Sequence, residues 1–278
     1  MVCLQILCGA ASGNTMSKIV VENLSVIKKK KLAPGYFSIR MAPFSKVKSI
    51  RPGQFVHLQI PNSNIYFRRA FSIYSANIEE KSFEILFKVV GRGTSAMALI
   101  RKGDKLGVLG PLGTVFRKPK RNELIGLTAG GVGIPPIYYF ARYLIEKGHN
   151  PEKLFFFYGG RERTDLVELT RLKKLKLNLI LTTEDGSLGI KGLVTSALED
   201  WICRNDSKKV IYACGPEGML KAVDRLALKY NIPGQLSLEA PMPCGIGVCL
   251  GCIRPLRTGG YTRVCREGPV FDTGEIIL

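Results

Sequence analysis

Four cysteines close together near the end of this 278-residue chain restrict its fold more than any other feature. Cys244, Cys249 and Cys252 follow the spacing Cys-x4-Cys-x2-Cys, and Cys265 comes after twelve further residues. Four thiolates at this spacing are the ligand set of a [2Fe–2S] cluster of the plant-ferredoxin kind. Glycines between them allow the chain to wrap a cluster closely and leave backbone N–H groups free to point at sulfur. The segment therefore predicts an iron–sulfur cluster held in a loop.

Zinc is the alternative metal for these cysteines, because Cys-x2-Cys also recurs in zinc modules. Those modules more often pair two short knuckles, whereas one glycine-rich loop carries three of the four cysteines here. The other cysteines are scattered, which argues against a disulfide framework. They are Cys3, Cys8, Cys203 and Cys214. This usage of cysteine predicts a reducing compartment, the cytoplasm.

The first part of the chain, from about Lys18 to Phe116, alternates short apolar runs with turns rich in Gly, Pro, Asn and Ser. Such runs predict short β-strands, and their spacing is typical of a barrel or a sandwich. The predicted strands are Ile19–Ile27, Phe37–Met41, Phe55–Ile60, Phe71–Tyr74, Phe83–Val89 and Lys105–Leu109.

From Leu124 the pattern changes to apolar strands that alternate with helical stretches, and it ends at Pro233. This alternation predicts a doubly wound parallel sheet with helices on both faces. The predicted helices cover residues 136–147, 165–174, 193–203 and 217–230. The expected division is an extension over 1–17, a β domain over 18–117, an α/β domain over 118–233 and a cluster subdomain over 234–278.

A run of Arg-Ala-Phe-Ser at 69–72 precedes a glycine–threonine turn at 93–95 that opens a helical stretch. An arginine can neutralise a pyrophosphate, an aromatic ring can lie against a flavin, and a hydroxyl can hydrogen-bond the flavin ring. N–H groups at the helix start would hold the same phosphates. Alone, the run also fits an ordinary strand with a surface arginine, but its position before an α/β half favours a flavin site. The residues assigned to FAD are Arg69, Ala70, Phe71, Ser72, Gly93, Thr94 and Ser95.

Glycines also stand between a buried strand and a helix at 130–133, where the backbone can approach a dinucleotide pyrophosphate closely. The run is not a full G-x-G-x-x-G, and a tight structural turn is its alternative. A second run, Cys-Gly-Pro at 214–216, follows a later strand of the same half. Its cysteine is a candidate to border the nicotinamide, although a cysteine at a strand end is more often mere packing. The residues assigned to NAD are Gly130, Gly131, Gly133, Cys214, Gly215 and Pro216.

The formal net charge of +19 comes from dispersed clusters rather than from one basic stripe. A nucleic-acid binder usually concentrates its charge, so these clusters predict solvated faces with a few anion-binding arginines. Residues 124–141 carry no charged side chain, but their glycines and prolines fit a strand, a turn and a helix, each too short to span a membrane. We therefore expect neither a nucleic-acid partner nor a membrane span.

Taken together, these motifs resemble the ferredoxin-reductase-like flavoproteins, and among them the electron-transfer subunits of B-type dihydroorotate dehydrogenases. The resemblance covers nearly everything after residue 17, and the segment from Leu236 to Cys252 is especially similar. It implies a FAD-binding antiparallel β-barrel, an α/β domain for NAD and a C-terminal [2Fe–2S] loop, in that order. It also implies a separate FMN-containing catalytic subunit, two copies of each subunit in the complex, and no pyrimidine site in this chain.

Four alternatives stay open at this point. Arg161 and Arg163 follow the second strand of the α/β half, where an arginine could accommodate the extra phosphate of NADP. Asp165 is a possible ribose partner, or the N-terminal cap of the next helix. The partner could instead belong to a hydrogenase, sulfide or oxygenase system, and a zinc-stabilised nucleic-acid-binding protein would explain the charge and the cysteines but not the flavin motif.

Overall fold

The computed structural model describes residues 19–61 and 64–278, so the expected extension over 1–17 lies outside the described residues. Six antiparallel strands come first and close into a barrel with the order β1-β2-β5-β4-β3-β6. Apolar side chains on alternate positions, such as Val56 and Leu58, fill the barrel interior. The barrel elements are β1 (Val20–Ala33), β2 (Tyr36–Ala42), β3 (Phe55–Gln59), β4 (Arg69–Asn77), β5 (Ser82–Lys88), α1 (Arg92–Leu99) and β6 (Lys105–Leu112).

The second half is a seven-stranded sheet flanked by helices. Its elements are β7 (Leu124–Gly130), α2 (Ile134–Glu146), β8 (Leu154–Gly160), α3 (Leu169–Lys173), β9 (Asn178–Thr183), β10 (Ile190–Lys191), α4 (Val194–Arg204), β11 (Lys209–Cys214), α5 (Glu217–Lys229), β12 (Gly234–Ser237), and, after an inserted segment, β15 (Val270–Asp272). The strand order is β10-β9-β8-β7-β11-β12-β15, and every neighbouring pair is parallel except β12 with β15. The predicted doubly wound sheet is confirmed.

The cysteine-rich segment leaves the sheet after β12 and returns to it at β15, where Ser237 pairs with Val270. Between them lies one small hairpin, β13 (Ile253–Pro255) with β14 (Tyr261–Arg263). The boundary expected between residues 233 and 234 falls just before β12, so strands on its far side complete the α/β sheet. Regular structure therefore continues beyond Pro233, where the sequence pattern ends. The sequence does not reveal these strands because they are too short to show a period.

The predicted helix over residues 165–174 is wrong in its first half. Residues Arg163–Asp165 form a single 3-10 turn, and α3 begins only after Glu168, whose backbone has a positive φ of 60°. Asp165 does not cap a helix, because its carboxylate accepts hydrogen bonds from Tyr36 and Lys88 of the barrel. Contact with the barrel therefore overrides the local helical pattern.

The barrel and the sheet share an interface of aromatic rings and ion pairs. Tyr74 on β4 stacks on Tyr138 of α2 with ring centroids 4.6 Å apart. Glu84, buried on β5, pairs with Arg171 of α3 at 3.0 Å. Buried pairs of this kind fix the relative orientation of the two halves. No helix in the described part of the chain is both long and apolar enough to cross a membrane.

Candidate cofactor sites

The two halves of the predicted flavin motif meet at one end of the barrel. Arg69 begins β4, and its side chain lies against Gly93 in the first turn of α1, where an added Cβ would be 2.7 Å from the arginine Nε. Ala70 and Ser72 share the outer face of β4, whereas the ring of Phe71 is buried in the barrel core near Phe87. The structure thus brings the guanidinium beside the helix start, and it uses the aromatic ring for packing.

The side chain of Thr94, in the first turn of α1, stabilises the start of this helix. Thr94 Oγ1 accepts hydrogen bonds from the N–H groups of Val90 and Gly91, at 2.9 and 3.2 Å. The same hydroxyl donates to the Gly91 carbonyl. Backbone N–H groups in the first turn of a helix have no intrahelical acceptor, so they and Arg69 offer a combined anion site. The hydroxyl therefore shapes the turn that presents these N–H groups.

The predicted nucleotide motifs also come together, at the carboxyl ends of β7 and β11. These neighbouring strands flank the point where the strand order reverses, which is where ligands bind in such sheets. A Cβ on Gly130 would lie 2.8 Å from the Pro216 ring, and a Cβ on Gly133 would overlap the Cys214 carbonyl. Both turns therefore need glycine for close approach of backbone. They line a cavity of about 710 Å³ together with Gly131 and Gly215.

The Cys214 thiol is buried behind this wall, with 2% of the residue exposed. Burial raises the pKa of the thiol, and the nearby Glu239 carboxylate raises it further. The thiol is therefore neutral and unreactive as a nucleophile at neutral pH. Its carbonyl packs on Gly133, so the residue supports the nucleotide turn from behind.

The cavity lining also contains a carboxylate that is held by three residues. Asp165 accepts hydrogen bonds from Tyr36 Oη at 2.6 Å, Lys88 Nζ at 2.7 Å and Arg161 Nε at 3.2 Å. Burial alone would raise the pKa of Asp165, but these bonds hold it well below its usual range. Arg161 is thus engaged by a carboxylate at this wall, and Arg163 donates its backbone N–H to Ser187.

The cavity lining includes residues that sequence reasoning missed, among them four with polar side chains. Tyr36 and Lys88 come from the barrel, and Glu184 and Glu239 follow β9 and β12. Glu239 is exposed on the cavity lining, and desolvation by the surrounding protein raises the pKa of its carboxyl group. The two glutamates could have been found from their position directly after apolar runs, but the barrel residues carry no such local signal.

The four predicted cluster cysteines form two pairs. The thiols of Cys244 and Cys249 affect each other's titration, and so do those of Cys252 and Cys265. Burial would raise the pKa of Cys244, but backbone N–H groups of Cys249, Ile246 and Val248 lower it to about 6. Burial and the neighbouring Cys252 raise the pKa of Cys265 to about 12. Within residues 19–61 and 64–278, no three His, Cys, Asp or Glu side chains converge on a single metal position.

This donor set fits a [2Fe–2S] cluster, because each of its two irons takes two thiolates and the structure supplies two pairs of thiols. The backbone N–H groups of the loop point at sulfur, as the glycine-rich sequence predicts. Gly245 has a φ of +71° and packs directly on the His57 ring, so neither its conformation nor its surroundings admit a Cβ. Glycine at this position therefore allows the loop to lie on the barrel.

Comparison with known protein families divides the chain in the same order. Residues 23–116 match an oxidoreductase FAD-binding domain, and residues 127–225 match an oxidoreductase NAD-binding domain. Residues 239–277 match the iron–sulfur cluster binding domain of dihydroorotate dehydrogenase B. All four cluster cysteines lie within this last match.

Among curated relatives, the dihydroorotate dehydrogenase B (NAD(+)) electron transfer subunit of Streptococcus mutans is 34% identical, over 94% of this chain and 99% of that protein. The subunit of the same name from Caldanaerobacter subterraneus is 39% identical, over 84% and 90%. A solved structure of NADH-dependent reduced ferredoxin-NADP oxidoreductase is similar with a TM-score of 0.79 and 30% identity, over 91% of this chain and 89% of that chain.

The chain combines a closed barrel that matches FAD-binding domains with a sheet that matches NAD-binding domains, followed by a cysteine loop. This combination defines the ferredoxin-reductase-like class of oxidoreductases. The cysteine segment and the full-length relatives narrow this assignment. The chain belongs to the family of dihydroorotate dehydrogenase B electron transfer subunits.

Proposed function

We propose that this chain transfers electrons between NAD and an FMN-containing catalytic subunit that oxidises dihydroorotate to orotate, a step of pyrimidine biosynthesis. FAD would exchange the two electrons of a hydride with the nicotinamide, and a [2Fe–2S] cluster would relay them singly. The observation that carries this proposal is the match of the cysteine loop to the cluster domain of dihydroorotate dehydrogenase B, within relatives that this chain matches over nearly their full length. A complex with two copies of each subunit is part of the proposal.

The binding residues proposed from the sequence keep their assignments. FAD is assigned to Arg69, Ala70, Phe71, Ser72, Gly93, Thr94 and Ser95; NAD to Gly130, Gly131, Gly133, Cys214, Gly215 and Pro216; and the cluster to Cys244, Cys249, Cys252 and Cys265. Contact between Arg69 and Gly93 supports the first set, and the shared cavity supports the second. Pairing of the thiols supports the third.

The chain contributes position and charge to this chemistry. Arg69 and the N–H groups at the start of α1 would neutralise the flavin pyrophosphate, since charge-assisted bonds favour phosphate oxygens. Bare glycine backbone at 130–133 and 215 would let the nucleotide pyrophosphate approach the sheet. The neutral Cys214 thiol would add no charge behind this turn.

We propose NAD rather than NADP as the nucleotide. Arg161 contacts Asp165 through its Nε, so this carboxylate offsets part of its positive charge. Glu184 adds an exposed carboxylate to the same cavity, and a carboxylate favours a ribose hydroxyl over a phosphate. The proposed cytoplasmic location rests on the free, clustered thiols of the described chain.

The test of this function is the cofactor content and the electron path of the purified chain. After anaerobic reconstitution it should carry two irons, two sulfides and one FAD. It should pass electrons from NADH, and much less from NADPH, to artificial acceptors. Dihydroorotate oxidation should begin only when the FMN subunit is added. Zinc without acid-labile sulfide, or orotate formation by this chain alone, would contradict the proposal.

A reductase for a different terminal partner is the second candidate, favoured by the similarity to the ferredoxin-NADP oxidoreductase structure. The cofactor content would be the same in both cases. A binding assay with the FMN subunit separates them, because failure to bind at low salt would assign the chain to another acceptor.

A further inference from the structure

Two large aromatic side chains lie exposed directly before the proposed flavin motif. Tyr66 is 92% exposed and Phe67 is 52% exposed, although most aromatic side chains in the described part of the chain are buried. The two rings pack edge to face, with their centroids 5.1 Å apart. Such a pair is apolar surface that a ligand or a partner can cover. Neither ring has a role in the sites proposed above.

The segment that carries these rings is bound to the arginine assigned to the flavin phosphates. Arg69 donates through Nη1 to the Phe67 carbonyl at 2.9 Å, and its Nε lies against Gly93 at the start of α1. Arg68 fixes the same segment to the barrel, because it donates to the Gly107 carbonyl of β6 at 2.9 Å. The bend that carries the two rings therefore lies beside the groups that would hold a pyrophosphate.

The order of these residues along the chain corresponds to the order of groups in FAD. In FAD a pyrophosphate joins a flavin to an adenosine, so an aromatic ring system lies on each side of the phosphates. Ala70 and Ser72 follow Arg69 on β4 and are assigned to the flavin. The aromatic pair precedes Arg69. An adenosine that extends from the pyrophosphate away from the flavin would therefore meet this pair.

Adenine accounts for this surface because one molecule then matches both the charge and the apolar rings. The face of a base stacks on aromatic side chains, and phosphate oxygens favour an arginine. Tyr66 and Phe67 also fall within residues 23–116, which match an oxidoreductase FAD-binding domain.

We propose that Tyr66 and Phe67 form an aromatic site for the adenine ring of FAD, and that this site makes the chain select FAD over FMN. The inference rests on the proposed function and adds an adenine subsite to its flavin site. Because the two rings are nearly perpendicular, at 85°, one can stack on the base while the other contacts its edge. Stacking requires an accessible ring face and no fixed hydrogen-bond partner, which fits two exposed side chains.

The test compares FAD with FMN, which carries the flavin and one phosphate but no adenosine. The full chain is freed of flavin and titrated with each. Combined Tyr66→Ala and Phe67→Ala should weaken FAD binding roughly 5- to 150-fold, as expected when aromatic side chains that stack on a base are lost. The affinity for FMN should not change. Tyr66→Phe, which keeps the ring, should bind FAD like the wild type.

Tyr261→Ala is the matched control, because Tyr261 is an exposed aromatic residue in β14, outside the flavin motif. It should keep both affinities. Two results of the titration would overturn the proposal. One is an unchanged FAD affinity in the double variant. The other is an equal loss for FAD and FMN, which would mean that the aromatic pair shapes the phosphate or flavin site and does not contact adenine.

Hydroxyl-radical footprinting of the wild type provides a second readout that needs no substitution. FAD should lower the labelling of Tyr66 and Phe67 relative to the flavin-free chain, FMN should not, and Tyr261 should be labelled equally in all three samples. FAD-loaded wild type without this protection would overturn the proposal, even if the variants do not fold. Protection that appears only when the FMN subunit is added would also overturn it, and would assign the pair to docking.

Failure of the proposed function is distinguishable from failure of this inference. A wild type that binds no FAD removes both. Normal FAD binding without protection of the aromatic pair removes only the inference. A chain that binds FAD through these rings but never exchanges electrons with the FMN subunit removes only the proposed function.

Discussion

Arg69 lies against the first turn of α1, where it would face a flavin phosphate. Arg69→Ala should weaken FAD retention roughly ten- to hundredfold, because a charge-assisted hydrogen bond contributes about 1.5–3 kcal/mol. FAD content after dialysis measures the loss. Arg101→Ala, at an exposed position just beyond α1, is the control and should retain the flavin. Equal FAD content in both variants would place the pyrophosphate elsewhere.

Asp165 joins the two halves of the molecule through one carboxylate. Asp165→Asn should lower the free energy of unfolding by about 3–5 kcal/mol at pH 7, because it leaves Lys88 without its anionic partner in a half-buried setting. Urea denaturation measures the change. Asp206→Asn, at an exposed site, is the control and should change little.

The same carboxylate predicts a pH dependence. Its pKa in the folded protein is below the unfolded value of about 3.9, so its stabilising contribution is full above that value and decreases as the pH falls toward the folded pKa. The stability difference between wild type and Asp165→Asn should therefore shrink when denaturation is repeated below about pH 4. A constant difference from pH 7 to pH 3 would contradict this account.

The sequence alone predicts the roles of some site residues but not of others. Gly133 stands in a glycine run after an apolar strand, so its role as a bare backbone turn was predictable. Lys88 was not, because its partner Asp165 is 77 residues away and only the docking of two domains brings them together. Phe71 has a flavin-like sequence context, but its strand register turns the ring into the barrel.

At the scale of elements, the start of α1 depends on one hydroxyl. Thr94→Val removes the acceptor for two backbone N–H groups and should lower the free energy of unfolding by about 1 kcal/mol. It should reduce FAD retention less than Arg69→Ala, because the backbone donors remain. Thr170→Val, exposed on α3, is the matched control for stability. A larger FAD loss than in Arg69→Ala would assign the hydroxyl to the phosphate.

Loss of the cluster should not cause loss of the flavin. Cys249→Ser should abolish the cluster and leave FAD bound, because the proposed flavin residues lie on β4 and α1. Iron, sulfide and flavin analyses measure both. Cys203→Ser, at an exposed position in α4, should retain two irons and two sulfides. Loss of FAD together with the cluster in a folded Cys249→Ser protein would mean that the flavin site is misplaced.

Most long elements were predictable because their apolar periods extend over several turns or strand pairs. Strand β1 extends to Ala33, past the predicted end at Ile27, because the Lys-rich run pairs with β2 despite its polarity. Strands β12 and β15 have only four and three residues, too short for a pattern. Their place in the sheet depends on β11 and on each other, which sequence proximity does not reveal.

At the scale of the whole molecule, the arginines around the cluster loop are of two kinds. Arg257 pairs with Asp224, and Arg263 pairs with Glu267. Arg254 and Arg266 form no ion pair within the described residues. These two remain available to steer an acidic surface of the catalytic subunit toward the cluster.

Replacing both Arg254 and Arg266 by Gln should slow association with the FMN subunit at low salt. Steering weakens as the Debye length falls from about 30 Å at 0.01 M to about 10 Å at 0.1 M salt, so the variant and the wild type should converge. Stopped-flow association rates measure this. Lys173→Gln with Lys174→Gln, on the distant α3 region, is the charge-matched control. If association of the wild type does not depend on salt, these arginines do not steer the partner and serve only solubility.

Pairing of β12 with β15 has an entropic consequence for the cluster loop. Closing a flexible segment of roughly 30 residues costs about 3 kcal/mol in chain entropy. Here the sheet itself holds the two ends together, at Ser237 and Val270. The incoming cluster therefore meets a loop that is already closed, and its binding energy is not spent on bringing distant parts of the chain together.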